Sequence, residues 1–374
     1  MNRTTAGLLF LAGTVFAQDL SIDDALRMAA EGRLAEAETA LRALTVQAPN
    51  DGDLRTRLGL VQLKEKKLDE AAGELGRATT LDPGSVFAWL ALGDVRLRQG
   101  NHAEAARSAK RAQSLAGKSA AAWKGLAVLQ QRLGDDTGEV QSLRSAIRLA
   151  PEDRSLYVRL TNLLIEHRNA DSALAVATAA LNRFTTDAEL LRLRGLALYG
   201  LGRKGEALDA FLAAMDAAPA DEVVHASVET LIEDAGDRLP QLTQRLRRFR
   251  EQRPASPLGP FLLALASRSP EEKQSLVREA IGVESSFWPA YFELHRLLRG
   301  QGDSLQAIQA LKETLRLNPN HEGAHFALAE LYLEAGDREK AREHRLQHDR
   351  LRAGAATEER RRAAENQRLP VGTQ

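Results

Sequence analysis

The chain has 374 residues, of which 44% are hydrophobic and 27% charged, and its 51 Lys and Arg balance its 51 Asp and Glu. Because a neutral chain exerts no long-range attraction on nucleic acid or anionic lipid, we expect no nucleic-acid partner. The absence of cysteine excludes disulfides, thiol catalysis and cysteine-ligated zinc.

The first residues of the chain predict export. Arg3 precedes an apolar run over residues 6–16, and the small residues Val15 and Ala17 take the −3 and −1 positions of a cleavage site. This order is typical of a secretory signal peptide, here residues 1–17, and the alternatives are an uncleaved anchor or a chance apolar start. We therefore expect a periplasmic or secreted protein. No later run of about 18 apolar residues follows, so no transmembrane span is expected.

A period of 34 residues runs through the chain from residue 18 to residue 221. Alanines recur at this spacing, interrupted only by Glu139: Ala37, Ala71, Ala105, Ala173 and Ala207. Prolines recur on a second grid: Pro49, Pro83, Pro151 and Pro219. Each period holds two stretches of helical periodicity separated by a turn, which predicts a helical hairpin. The small residues let the two helices approach closely, and proline ends the second helix.

These residues closely resemble the tetratricopeptide repeat (TPR). Residues 86–117 carry the family pattern well, with Trp89, Leu92, Gly93, Gly100, Ala105 and Ala112. The resemblance implies an all-α fold, a right-handed superhelical solenoid of about ten helix-turn-helix repeats.

The repeats divide the chain into consecutive segments. After the signal peptide, residues 18–221 form six regular repeats, numbered 1 to 6 here: 18–51, 52–85, 86–119, 120–153, 154–187 and 188–221. Residues 222–287 form two degenerate repeats: repeat 7 (222–255) has lost the small residues, and repeat 8 (256–287) is shorter. The pattern returns in repeats 9 and 10, over residues 288–353. Residues 354–374 are predicted to be a charged, partly disordered tail.

The resemblance implies that the first helix of each repeat lines a concave face, where the family binds its partners. The family's outward positions are apolar at their centre and charged at their rim, which is typical of a groove for a helix or an extended peptide. They are Leu60, Lys64, Phe87, Leu90, Asp94, Arg98, Lys124, Val128 and Arg132 in repeats 2–4, and Val158, Asn162, Arg192, Leu196 and Tyr199 in repeats 5 and 6; Thr56 and Leu63 take the same kind of position. The alternative is that part of this stripe packs against the neighbouring repeat's helix or against the chain's own C-terminal segment.

His321-Glu322-Gly323-Ala324-His325 matches the H-E-x-x-H signature of zinc proteases. In those enzymes both histidines lie within one helix. Here the repeat puts His321 in the connection before a helix and gives His325 the position of Trp89 and Tyr157 in other repeats. We therefore interpret the motif as packing and expect no catalysis, cofactor or metal. A zinc-dependent peptidase and a self-associating structural array are the alternative functions.

Two further charged features have competing interpretations. His344 and His348 are one helical turn apart and open the question of a metal site shared with His325. The stretch 245–253 holds five arginines and one glutamate, which favours either an anionic ligand or a solvated helix face opposite a buried stripe.

Overall fold

The structure, a computed structural model, describes residues 21–366, with side chains to residue 357. This part of the chain contains α-helices and two short 3₁₀ helices and no strand, and it is an all-α solenoid built from successive helical hairpins. The predicted signal peptide, residues 1–17, and the end of the predicted tail, residues 367–374, lie outside the described residues. The chain divides into two compact bodies, residues 1–151 and 152–374.

The N-terminal body contains four helical hairpins, one in each of repeats 1–4. Their helices are α1 (Ile22–Ala30), α2 (Leu34–Gln47), α3 (Gly52–Lys64), α4 (Leu68–Leu81), α5 (Val86–Arg98), α6 (His102–Leu115), α7 (Ala120–Leu133) and α8 (Asp136–Leu149). The odd-numbered helix comes first in each hairpin.

The C-terminal body begins with two regular hairpins and ends with two others. Its helices are α9 (Arg154–Glu166), α10 (Ala170–Leu181), α11 (Ala188–Gly200), α12 (Lys204–Ala217), α13 (Glu222–Ala226), α14 (Leu239–Gln252), α15 (Leu258–Ala266), α16 (Pro270–Val283), α17 (Trp288–Gly300), α18 (Ser304–Leu317), α19 (Glu322–Glu334) and α20 (Arg338–Asn366). The 3₁₀ helices η1 (Glu229–Leu231) and η2 (Gly236–Arg238) separate α13 from α14. Repeat 7 therefore has only a five-residue first helix.

A side-chain cap fixes the start of most first helices. The capping residues accept hydrogen bonds from the backbone N–H groups of the first turn, which otherwise lack a partner. They recur every 34 residues: Asp51, Ser85, Ser119, Asp153, Asp187 and Asp221. This grid marks the repeat independently of the small residues and the prolines.

The small-residue grid lies where paired helices touch. Ala37, Ala71, Ala105, Ala173 and Ala207 are all fully buried. A Cβ atom added at Gly195 would lie 2.5 Å from a ring carbon of Phe211, so only glycine allows that ring to pack against α11. Leucines that also recur every 34 residues fill the space between the helices and are buried as well: Leu58, Leu92, Leu126 and Leu160.

Candidate partner-binding surface

In the N-terminal body the first helices α3, α5 and α7 lie side by side. Leu60, Phe87 and Val128 point away from the core of these helices and remain 41%, 51% and 55% exposed. Exposed apolar side chains on neighbouring helices form a surface that a partner can cover. We call this surface the N-terminal patch; its residues are Leu60, Lys64, Phe87, Leu90, Asp94, Arg98, Lys124, Val128 and Arg132.

The charged side chains of the N-terminal patch are organised around Asp94. The Asp94 carboxylate accepts a hydrogen bond from Arg98 at 3.1 Å and also pairs with Arg132 of the next repeat. Lys64 and Lys124 are exposed at the same surface. The patch thus combines exposed apolar side chains with a mostly basic rim, in which one carboxylate holds two guanidinium groups in place.

Other predicted positions of the first helices are more buried. Leu90 is half-buried because it lies over Gly125, where an added Cβ would come within 2.8 Å of the leucine. Thr56 and Leu63 are buried, so the expectation that these two residues line a groove is wrong. The Thr56 hydroxyl instead donates to the Gly52 carbonyl one turn earlier, at 2.8 Å.

In the C-terminal body α9 and α11 also lie side by side. Tyr199 is 40% exposed, whereas Val158, Asn162, Arg192 and Leu196 are half-buried. These five residues form the C-terminal patch, which presents less exposed apolar surface than the N-terminal one.

 Arg192 of the C-terminal patch borders a hollow of about 440 Å³ at the starts of α9, α11 and α13. Arg154 crosses it, donating to Asp187 and, at 2.7 Å, to Glu189. Burial would raise the pKa of Asp187, but the hydrogen bonds from Arg154 and from the Leu190 N–H outweigh burial and lower it. The sequence patterns did not indicate a role for Arg154. The residue follows the helix cap Asp153 and is therefore the first residue of α9.

The H-E-x-x-H stretch is divided between a helix cap and a buried position. The Nδ1 atom of His321 accepts a hydrogen bond from the Ala324 N–H at 2.9 Å, which caps α19, and its ring packs against Trp288 and Phe292. His325 is buried, and its Nε2 atom lies 3.0 Å from the Pro319 carbonyl. Both imidazoles therefore serve the packing of repeats 9 and 10.

The remaining histidines of α20 contact the same helix α19. The Nδ1 atoms of His325 and His344 lie 3.0 Å apart, so one ring donates to the other, and burial lowers the pKa of His344. His348 lies beside Phe326, with its Nε2 atom 3.3 Å from a carboxylate oxygen of Glu322. Within the described chain, no three His, Asp or Glu side chains come together in a way that could hold a metal ion. Among residues 21–366, no helix is long and apolar enough to cross a bilayer.

The arginine-rich stretch of α14 has a buried stripe and a charged face. Leu246 and Phe249 are fully buried. On the other side, arginines pair with acidic residues: Arg245 with Asp216 of repeat 6, Arg250 with Glu279 of repeat 8, and Arg253 with Glu222 of its own repeat. The guanidinium groups of Arg245, Arg250 and Arg253 are therefore paired with carboxylates of the chain itself.

Comparison with known proteins identifies the family. One tetratricopeptide repeat model matches residues 24–86, 90–154 and 159–222, which is more than half of the chain, and a second matches residues 298–344. The chain therefore belongs to the tetratricopeptide repeat family. Proteins of this family generally mediate protein–protein interactions, and the repeat fold is generally non-enzymatic.

One solved structure shares the fold at low sequence identity, and others match with lower TM-scores. A tetratricopeptide repeat protein from Parabacteroides merdae is 16% identical with a TM-score of 0.52, covering 63% of this chain and 93% of that one. Yeast Tom70 is 13% identical with a TM-score of 0.44, covering 91% and 96%. YrrB, described as a TPR protein with an unusual peptide-binding site, is 17% identical with a TM-score of 0.43, covering 51% and 98%. No curated protein matches the sequence.

Proposed function

We propose that this protein is a non-catalytic scaffold of the bacterial cell envelope that binds a partner peptide or helix on its first-helix surface. The observation that carries the proposal is the N-terminal patch, where Leu60, Phe87 and Val128 stay exposed on three neighbouring helices. Covering such side chains with a partner is favourable by about 25 cal/mol for each Å² of apolar surface removed from water.

The charges of the patch favour a partner that carries acidic groups beside its apolar ones. Within the patch the four basic side chains of Lys64, Arg98, Lys124 and Arg132 stand against one carboxylate, that of Asp94. An amphipathic helix or an extended peptide with apolar side chains on one face satisfies both features.

Affinity capture from an envelope extract of the native organism tests this proposal. The bait is the mature chain, and the variant is Phe87→Glu/Val128→Glu, which places charges at two exposed positions without disturbing the core. The matched control is Val46→Glu, because Val46 is 81% exposed in the same body but lies on the second helix α2.

We expect a protein captured by the wild type and by Val46→Glu to be lost from the double variant, with helicity unchanged by circular dichroism. Equal capture by all three baits would refute binding at the N-terminal patch. Capture of further copies of the same chain alone would favour the self-associating array instead.

The envelope location rests on the predicted signal peptide and has its own test. If the segment is cleaved after Ala17, the protein isolated from the native organism begins at Gln18 and is found in the periplasmic or secreted fraction. A cytoplasmic protein that retains its first residues would refute export while leaving the binding proposal intact.

A further inference from the structure

One stretch of the N-terminal body carries basic residues and no acidic ones. Residues 105–134 contain six Lys and Arg and neither Asp nor Glu, although the chain as a whole is balanced. Residues 140–151, which include most of α8, add Arg144 and Arg148 and again no acid. Repeats 3 and 4 therefore hold a local surplus of positive charge.

Five of these cations lie on the second helices α6 and α8 or in the connection that follows α6. All are exposed except Arg144, which is half-buried. We call this group the second-helix basic face; its residues are Lys110, Arg111, Lys118, Arg144 and Arg148. The face lies on other elements than the N-terminal patch, whose residues belong to the first helices α3, α5 and α7.

Elsewhere in the same body, second helices of consecutive repeats are joined by an ion pair. Arg42 of α2 donates to the carboxylate of Glu70 of α4. Lys110 takes the position of Arg42 in repeat 3, but Gly138 takes the position of Glu70 in repeat 4. The cation is therefore present in repeat 3 without the carboxylate that would neutralise it.

The charges of the second-helix basic face are not balanced within the protein. Arg111 donates to the Pro83 carbonyl at 3.2 Å and Arg148 to the Ser145 hydroxyl at 2.9 Å, and both acceptors are uncharged. Among the described residues, no carboxylate pairs with any of the five cations. The helix dipole accounts for Arg148 alone, because it lies in the last turn of α8, whereas Lys110 and Arg111 lie before the last turn of α6.

The second-helix basic face also lacks an apolar centre. In α6 and α8, which are described over their whole length, Leu149 is the one large apolar side chain that is exposed, at 39%. Protein interfaces are centred on buried apolar and aromatic groups. The surface of an anionic bilayer instead attracts basic residues by charge alone. The face therefore fits lipid headgroups better than it fits a protein partner.

We propose that the second-helix basic face binds the surface of a membrane that contains anionic lipids. Its five cations lie against the headgroups, and Leu149 reaches the boundary between the headgroups and the acyl chains. Because the chain has no net charge, the attraction acts only close to this face, within about one Debye length, or roughly 8 Å at physiological ionic strength. The contact uses second helices and leaves the N-terminal patch to a protein partner.

Co-sedimentation of the mature chain with lipid vesicles tests the proposal. The vesicles contain phosphatidylcholine alone or equal parts of phosphatidylcholine and phosphatidylglycerol, and the salt concentration is varied. The variant is Lys110→Gln/Arg144→Gln, which removes two cations from the same position of consecutive repeats. The matched control is Arg33→Gln/Lys66→Gln, which removes two exposed cations from the turns of repeats 1 and 2 in the same body.

We expect binding to the vesicles that contain phosphatidylglycerol and not to the others, and loss of this binding at high salt. Each basic side chain at an anionic surface contributes about fivefold to membrane partitioning, so Lys110→Gln/Arg144→Gln should bind about 30-fold more weakly. The control should bind like the wild type, and circular dichroism should show the same helicity for all three proteins.

A fluorescent label locates the contact. Because the chain has no cysteine, a single introduced cysteine carries an environment-sensitive dye at one known place. The dye is attached to Ser114→Cys on the second helix α6 or to Gln131→Cys on the first helix α7, both at exposed positions. We expect anionic vesicles to shift the emission of the dye on α6 and to leave that of the dye on α7 unchanged.

Several results would overturn the proposal. They are equal binding to both kinds of vesicle, equal weakening by the control variant, or a shift of the dye on α7 without one on α6. Absence of vesicle binding would overturn it as well; if poly-glutamate then bound the wild type and not Lys110→Gln/Arg144→Gln, the face would belong to an acidic protein instead. The proposal does not rest on the N-terminal patch, so its failure would leave the proposed function standing.

Discussion

At the scale of single residues, close helix contacts depend on the absence of a side chain. Gly195 of α11 lies against the buried ring of Phe211 of α12, and an added Cβ would come within 2.5 Å of that ring. We expect Gly195→Ala to lower the free energy of unfolding by about 2 kcal/mol, because overpacking outweighs the better helix propensity of alanine. Urea unfolding measures the change.

The control for this substitution is Gly282→Ala. Gly282 lies in a helix of the same body, and nothing lies within 4 Å of the place where its Cβ would be. There alanine should be neutral or stabilising by up to about 1 kcal/mol. If both variants lose stability equally, the contact with Phe211 is not the cause.

Glu38 of α2 is a buried acid of the N-terminal body that has several hydrogen-bond donors around it. Its carboxylate accepts hydrogen bonds from Lys67 at 2.5 Å, Arg42 at 2.7 Å and Gln62 at 3.0 Å. Burial alone would raise its pKa, but these donors outweigh burial and lower the pKa from 4.5 to about 2. The lowered pKa stabilises the fold above pH 4.5, and this stabilisation is lost as the pH falls toward 2.

We therefore expect Glu38→Gln to lower the free energy of unfolding by up to about 3 kcal/mol at neutral pH, measured by urea unfolding. The variant should also lose part of the decline in stability between pH 4.5 and pH 2. Glu36→Gln is the control, since Glu36 makes only an exposed pair with Arg33 and should have a much smaller effect on the free energy of unfolding. Equal effects of the two variants would contradict the role given to Glu38.

At the scale of helical hairpins, the turn between the two helices needs a left-handed residue. Glycine supplies it in four of the regular repeats, at Gly32, Gly100, Gly134 and Gly202. Repeat 2 has Lys66 instead, with φ 65°, and the lysine is exposed. A side chain at such a φ destabilises the turn.

Lys66→Gly should raise the free energy of unfolding by about 0.5–1 kcal/mol, because relief of the strained φ exceeds the added freedom of the unfolded chain. The reverse change, Gly100→Lys, should lower it by a similar amount. Urea unfolding of both variants checks this, and a loss of stability in Lys66→Gly would show that the lysine side chain contributes more than its backbone costs.

The regular hairpins could be predicted from the sequence, and the irregular ones could not. Alanines and prolines at fixed spacing encode contacts within one hairpin, so they mark α3 to α12 locally. In repeat 7 the helical periodicity continues, yet α13 ends at Ala226, next to Ser227, whose hydroxyl donates to the Val223 carbonyl. Bonding of this kind bends helices, and it does not change the hydrophobic pattern.

The exposed positions of the candidate surface could be predicted from the sequence, but its contacts between repeats could not. Phe87 and Val128 occupy outward positions of the repeat and are exposed, which follows from the grid. Leu90 is half-buried only because Gly125 lies below it, and the pairing of Arg132 with Asp94 joins two repeats. Contacts of this kind depend on side chains of the neighbouring repeat, which a pattern within one repeat does not contain.

At the scale of the whole molecule, the histidines are unevenly distributed. His102 is the only histidine before residue 152. In the C-terminal body burial lowers the pKa values of His225, His321 and His344, and it lowers that of His295 to about 4. Below pH 6.5 these histidines bind protons more readily in the unfolded chain than in the folded one. The free energy of unfolding should therefore fall as the pH drops from 6.5 toward 4.

We expect hydrogen exchange to show this difference between the bodies. On going from pH 7 to pH 5, with intrinsic rates corrected, amide protection in α17 and α18 should fall more than in α5 and α6. His295→Leu should reduce the fall in α17 and α18. A larger loss of protection in the N-terminal body would contradict the assignment of acid sensitivity to these histidines.

The central claim is that a partner covers the exposed side chains of Phe87 and Val128. Site-specific photo-crosslinking in the native organism tests it most directly, with the crosslinking residue placed at Phe87, at Val128 or, as a control, at the exposed Val46. We predict that the same partner adduct forms from Phe87 and Val128 and is absent from Val46. Adducts from Val46 alone, or from none of the three positions, would contradict the claim.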